Sequence, residues 1–242
     1  MQPAGARSPY VFTCDHASNV LPRSLGNLGL SASELDSHIA WDRGIAGLGT
    51  KLARSLDAFL IMQSYSRLVI DVNRPLASPE SIVSQSEYSS VAGNRTLSRE
   101  QAEARADAVF WPYHRRLQHE LDRRSAAKQP TILVALHSFV PVFMNVPRSV
   151  QVGVLFGRYD HLGRALLAQL RQEATLQVAE NEPYAFSDDT DYTLIEHGER
   201  RGIPHVELEI RHDLIEDDAT QHAWAARLAS ALERTTSAMF PA

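Results

Sequence analysis

The segment Thr131-Ile132-Leu133-Val134-Ala135-Leu136 is almost continuously apolar, follows Pro130 and runs into His137-Ser138. It is too short for a typical helix and has no polar face. It therefore reads as a strand buried on both sides, which belongs in the middle of a sheet covered by helices on each face. That requirement makes the chain α/β. A length of 242 residues, 44% of them hydrophobic, can bury most of the chain surface in one such domain, so residues 1–242 are expected to form a single domain.

Further strands are expected at residues 10–15, 58–64, 150–156, 176–179 and 205–211. Between them, apolar residues recur at helical spacing. Ile45, Leu48, Leu52 and Leu56 mark a helix starting near Asp42. Ser98 and Gln101 carry the capping-box spacing ahead of Val109, Tyr113, Leu117 and Leu121. Leu162, Leu166 and Leu170 follow Asp160, and Trp224, Leu228 and Leu232 form a terminal packing helix. A short helix containing His197 is expected within 188–202.

Residues 64–75 also read as a strand, with Leu68, Ile70 and Val72 on its core face and Arg67, Val69, Asp71 and Asn73 on the other. The polar row is suited to holding an anion. An Arg/Asp pair on a solvated edge explains it equally well.

The formal charge of -5 is spread without long single-sign runs, which argues against nucleic acid or an anionic membrane surface as partner. An anionic substrate would need a local arginine cluster. One cysteine, Cys14, excludes an internal disulfide. The N-terminus lacks an apolar leader core and no apolar run is long enough to span a bilayer, so a cytoplasmic location is expected.

Chemistry is expected at strand ends, where ligands gather in α/β sheets. Asp15-His16 closes the first strand and His137 closes the central one. Asp42 stands at a helix start, where it serves as an N-cap or as a ligand. In 205–211, Val206, Leu208 and Ile210 alternate with His205, Glu207, Glu209 and Arg211, a pattern that an edge strand would share.

Taken together, Asp15-His16-Ala17-Ser18-Asn19, Trp41-Asp42, the run from Ser66 to Arg74, Leu136-His137-Ser138, Tyr192-Thr193 with His197, and Glu209-Ile210-Arg211 resemble the N-formylglutamate amidohydrolase family over nearly the whole chain. Their order is more distantly similar to that of zinc carboxypeptidases, whose first motif is His-x-x-Glu. Here Asn19 stands where that glutamate would be, which makes Asp42 the candidate third ligand. The resemblance implies a mixed central sheet with helices on both faces, of phosphorylase/hydrolase-like, zinc exopeptidase type. It also implies one Zn2+ ion per chain, held by His16, Asp42 and His137 with a fourth position open to water. Catalytic roles fall to Glu209, as proton shuttle, and Arg67, as oxyanion stabiliser. Asn73, Arg74, Arg211 and His197 become contacts to a small anionic N-acyl amino acid such as N-formylglutamate, with Arg211 either binding a second carboxylate or holding Glu209. Two other classes stay open on the residues alone. One is a metal-free hydrolase using Cys14 or Ser138, and the other is a non-catalytic dicarboxylate-binding domain.

Overall fold

The computed structural model describes residues 8–239, so the outermost residues of the expected 1–242 domain, and with them the reading of the N-terminus, lie outside the described residues. Six strands form one sheet: β1 (Tyr10–Cys14), β2 (Phe59–Met62), β3 (Ile132–Phe139), β4 (Val152–Leu155), β5 (Val178–Glu180) and β6 (His205–Arg211). Their spatial order is β2-β1-β3-β6-β4-β5. The first four run parallel. β4 pairs antiparallel with β6, and β5 is parallel to β4, so the sheet is mixed as expected.

Every residue of β3 is buried, and the strand lies between β1 and β6. It runs three residues past the expected end, so that His137 and Ser138 belong to the ladder itself. β6 is no edge strand either. It is hydrogen-bonded on both sides and is buried from His205 to Ile210.

Strand alternation separates two cores. On one face, Phe12, Val134, Leu136, Val206, Leu208 and Ile210 meet the helices α1 (Ile45–Ser55), α4 (His161–Leu170) and α6 (Asp218–Met239). A long helical run begins with α2 (Arg99–Arg105), and on the other face Val11, Leu133 and Ala135 meet its continuation, a π-helical segment Ala106–Phe110 and α3 (Trp111–Ala126). Helices thus cover both faces. Among the described residues, no helix is long and apolar enough to cross a membrane.

The segment 64–75 departs from expectation, for it is not a strand but a buried succession of turns. Its backbone bonds are turn closures, Val69 N–H to Ser66 O at 3.0 Å and Arg74 N–H to Asp71 O at 3.3 Å, or reach separate loops, Ser66 N–H to Val20 O and Asp71 N–H to Ser81 O. The apolar residues of the segment serve two cores, and not in the alternating order a strand would give. Leu68 packs into a cluster with Leu28 and Leu30, while Val69, Ile70 and Val72 join the core beneath α3. Arg67 and Asp71 confirm the turn by closing an ion pair at 2.6 Å. Residues four apart along a strand would be separated by roughly 13 Å.

Candidate active site

β1, β3 and β6 deliver their polar residues to the same face, at the carboxyl ends of the strands. His16 follows β1 directly, and its carbonyl accepts from the Asp42 N–H at 2.9 Å, which brings the stretch before α1 against the end of β1. The helix cap expected of Asp42 is taken by Gly44, whose φ of 81° lies in the left-handed region that glycine enters without strain. Relieved of that role, the Asp42 carboxylate accepts from Ser138 N–H at 3.1 Å and lies 3.0 Å from His137 Nδ1. In register, Glu209 is level with His137 and Glu207 with Ala135. The small Gly153 sits on the other side of Glu209.

Three donor atoms converge here. His16 Nδ1 and His137 Nδ1 are 3.2 Å apart, and Asp42 Oδ2 lies 3.5 Å from the first and 3.0 Å from the second. All three residues are buried. A carboxylate stands behind each imidazole. His16 Nε2 meets Asp71 Oδ1 at 2.7 Å, and His137 Nε2 faces Asp15 Oδ2 at 3.5 Å. Carboxylates behind both rings favour protons on the two Nε2 atoms, so both Nδ1 lone pairs point at one another and at an aspartate oxygen. Such a meeting of lone pairs is repulsive unless a cation or proton sits among them. Ligand atoms around a tetrahedral zinc ion are separated by about 3.3 Å, from bond lengths of about 2.0–2.1 Å. The observed separations match, and carboxylates behind metal-binding imidazoles are the customary outer partners. His16, Asp42 and His137 therefore fit a divalent metal ion.

The backing carboxylates are themselves held. Asp15 Oδ1 accepts from the Tyr113 hydroxyl at 2.5 Å, and Asp71 accepts from the Asn73 N–H and from Arg67. Burial pushes Asp15, Asp42 and Asp71 upward, but the histidines, and for Asp71 chiefly Arg67, outweigh it and hold all three below the ordinary aspartate range. The opposite holds on β6. Burial, with Asp42 and Asp191 nearby, pushes Glu209 up to about 8 against the pull of His137. Burial and Asp191 push Glu207 well above its usual value. Glu207 Oε2 and Glu209 Oε2 are buried without a hydrogen-bond partner.

Glu207 and Glu209 line a cavity of about 450 Å³ with the three donor residues and with Arg67, Asn73, Arg74, Tyr184 and Asp191. Arg67 Nη1 lies 3.4 Å from His16 Nδ1 and 3.9 Å from Asp42, so its guanidinium borders the donor cluster. Asn73 Oδ1 accepts from Thr193 N–H at the start of α5 (Tyr192–His197), which fixes the carboxamide. Arg74 is held by Glu80 and by the carbonyl of Thr190.

Two expected substrate contacts are elsewhere. Arg211 forms a two-pronged pair with Asp213 and donates to Arg148 O; among the described residues it does not line the cavity and makes no hydrogen bond to Glu209. His197 is buried against His114, Nε2 to Nδ1 at 3.0 Å, and His114 Nε2 in turn meets Val72 O. Burial draws His197 down to about 3, so the pair is a neutral packing element outside the cavity wall. The two alternative nucleophiles are poorly placed. Cys14 lies in the opposite core with its thiol pushed up by burial, and Ser138 Oγ donates to Arg43 O instead of meeting a histidine. Tyr113, Tyr184 and Asp191 carried no sequence signal, because each reaches the site from a helix or loop distant in the chain.

Residues 8–216 match the family model described as N-formylglutamate amidohydrolase. The chain belongs to the N-formylglutamate amidohydrolase family. It is accordingly an amidohydrolase. A gene product of Agrobacterium tumefaciens shares 36% identity at a TM-score of 0.95, over 98% of this chain and 93% of that one. An N-formylglutamate amidohydrolase from Ralstonia eutropha shares the fold at 19% identity and a TM-score of 0.68, over 98% of this chain and 94% of that one. No curated protein matches the sequence.

Proposed function

We propose that this family member is a zinc-dependent amidohydrolase that cleaves the amide of a small N-formyl or N-acyl amino acid, giving formate or another acid and the free amino acid. The convergence of His16 Nδ1, His137 Nδ1 and Asp42 Oδ2 beside an unpartnered Glu209 carries the reading. A zinc ion held by the three residues supplies Lewis acidity, which polarises an acyl oxygen and makes water acidic enough to attack near neutral pH.

The remaining steps fall to side chains. Glu209, level with His137, takes the proton from the attacking water and returns it to the leaving nitrogen, so that one water is consumed for each amide broken. Its tendency to keep a proton suits the second half of that task. Arg67, steadied by Asp71, donates to the oxygen that gains charge in the transition state. Arg74 and Asn73 hold the substrate carboxylate; both are anchored in advance, so little freedom is lost on binding.

The test is metal analysis of the purified chain, followed by formate release from a panel of N-formyl and N-acyl amino acids. About one zinc per chain and turnover of a carboxylate-bearing member are expected. Stoichiometric zinc retained by both His16→Ala and His137→Ala would overturn the metal assignment, and a zinc-loaded chain inert toward every panel member would overturn the substrate class.

A further inference from the structure

A second cavity, of about 500 Å³, lies apart from the first. Leu25, Leu28, Val69, Leu97 and Val109 give it an apolar wall, and no carboxylate lines it. Set in that wall is Arg105, the last residue of α2, only 7% exposed. Its Nη1 donates to Val69 O at 2.9 Å and to Asn94 Oδ1 at 2.7 Å. Its Nε and Nη2 make no hydrogen bond, and the guanidinium no ion pair, among the described residues, and neither atom is shut away from solvent.

That arrangement leaves a cation without a counter-ion and two of its donors open to an acceptor that enters the cavity. Burial pulls the Arg105 pKa down. Arg124 on α3 offers an internal comparison. It is fully buried, yet its Nε meets Glu120 at 2.9 Å. The chain thus supplies a carboxylate to one buried arginine and none to the other.

The cavity has the features of a ligand site. Its volume falls within the range of roughly 300–1,000 Å³ typical of small-molecule pockets, which are mostly apolar with a few polar groups. Immediately after Arg105 the helix passes into the π-helical segment Ala106–Phe110, an irregularity found frequently at functional sites, and Ala108 and Val109 of that segment line the cavity. Arg105 also ties the cavity to the segment bearing Arg67 and Asp71, through Val69 O.

We propose that this cavity binds a small aliphatic carboxylate, its acid group accepting from the free Nε and Nη2 of Arg105 and its hydrocarbon tail packing on Leu25, Leu28 and Leu97. The site is separate from the one that cleaves amides and does not depend on its metal.

Octanoate is the probe, titrated calorimetrically into the intact chain, with octan-1-ol as the uncharged control. One octanoate per chain is expected, with octanol weaker by about tenfold or more, the loss that follows when a charged acceptor is withdrawn from a guanidinium. Arg105→Gln should weaken octanoate to the same extent. Should Arg105→Gln fail to fold for want of its bonds to Val69 and Asn94, Ala108→Trp decides, since it fills the cavity from an exposed rim position and leaves Arg105 intact. Arg74→Gln should bind octanoate normally. The proposal is overturned by absence of saturable binding, by equal affinity for octanol, by binding that survives Ala108→Trp, or by binding lost in Arg74→Gln, which would place the acid in the other cavity.

Discussion

Replacing Asp71 by asparagine probes the candidate metal site without touching a ligand. Oδ1 of Asp71 accepts from His16 Nε2 at 2.7 Å and from Asn73 N–H at 2.9 Å, while Oδ2 accepts from Arg67 Nη2 at 2.6 Å. An asparagine of the same shape has one acceptor oxygen. Facing it toward His16 and Asn73 keeps two bonds and turns an NH2 group against the Arg67 guanidinium; the reverse orientation opposes two donors. The first is the better, so the loss centres on Arg67. A hydrogen bond between charged groups contributes roughly 1.5–3 kcal/mol, and Arg67 is a quarter exposed, so water recovers part of it and the lower end applies. Weakening of the His16 bond by loss of charge adds about 1 kcal/mol, giving about 2–3 kcal/mol of lost stability near neutral pH. For the metal, loss of an outer carboxylate typically lowers affinity by about 10- to 100-fold. Urea unfolding of the metal-free proteins reads the first quantity, and competition against a chelator reads the second. The sign of the pH dependence follows from Asp71, whose folded pKa lies well below 3.8. Its stabilisation is fully present above that value and is lost as pH falls through the folded one, so the gap between wild type and Asp71→Asn should close in acid. Equal urea midpoints near neutral pH together with equal zinc affinity would refute the reasoning.

Glu209→Gln should keep zinc while kcat falls by about 10²- to 10⁴-fold, the usual cost of a lost proton-transfer group, and Glu207→Gln should do far less; equal losses in steady-state assays would argue that both act through charge or packing. Arg74→Lys should lower kcat/KM for a carboxylate substrate by about tenfold or more, because an ammonium cannot reproduce a planar fork, and an unchanged value would make Arg74 structural. Tyr113→Phe removes the hydroxyl that steadies Asp15 behind His137, so zinc affinity should fall in a chelator competition while the chain stays folded.

The sequence showed the frame of this site better than its wall. His16 and His137 were legible from their strand-end positions and Asp42 through the family resemblance, and β3 could be placed mid-sheet from its composition alone. The run from Ser66 to Arg74 misled for a physical reason. A loop wedged between two cores buries its apolar residues as a strand does, here Leu68 in one core and Val69, Ile70 and Val72 in the other, so composition alone does not tell the two apart. The polar pattern of β6 was ambiguous for a related reason, since whether a polar face is solvated or catalytic depends on what packs over it. The partnership of Tyr113 with Asp15, 98 residues away, had no local signature at all.

Register separates the two glutamates of β6, which composition cannot. They share a face, yet each is level with a different β3 residue: Glu209 with His137 and Glu207 with Ala135. Along the strand this places Glu207 one pleat, or about 6.6 Å, further from the carboxyl end, where the three donors converge. Both carboxyls are pushed toward their protonated forms by burial, but their surroundings differ. The next influence on Glu207 is the Asp191 carboxyl, whereas on Glu209 it is the His137 imidazole, which favours ionisation. A cation among His16, Asp42 and His137 would act in the same sense and most strongly on the group level with it. Under the proposed mechanism Glu209 would then be the carboxyl that loses its proton within reach of the reacting water, while burial and Asp191 favour the neutral form of Glu207, and a neutral acid replaced by a neutral amide of the same size would remove little that the reaction uses.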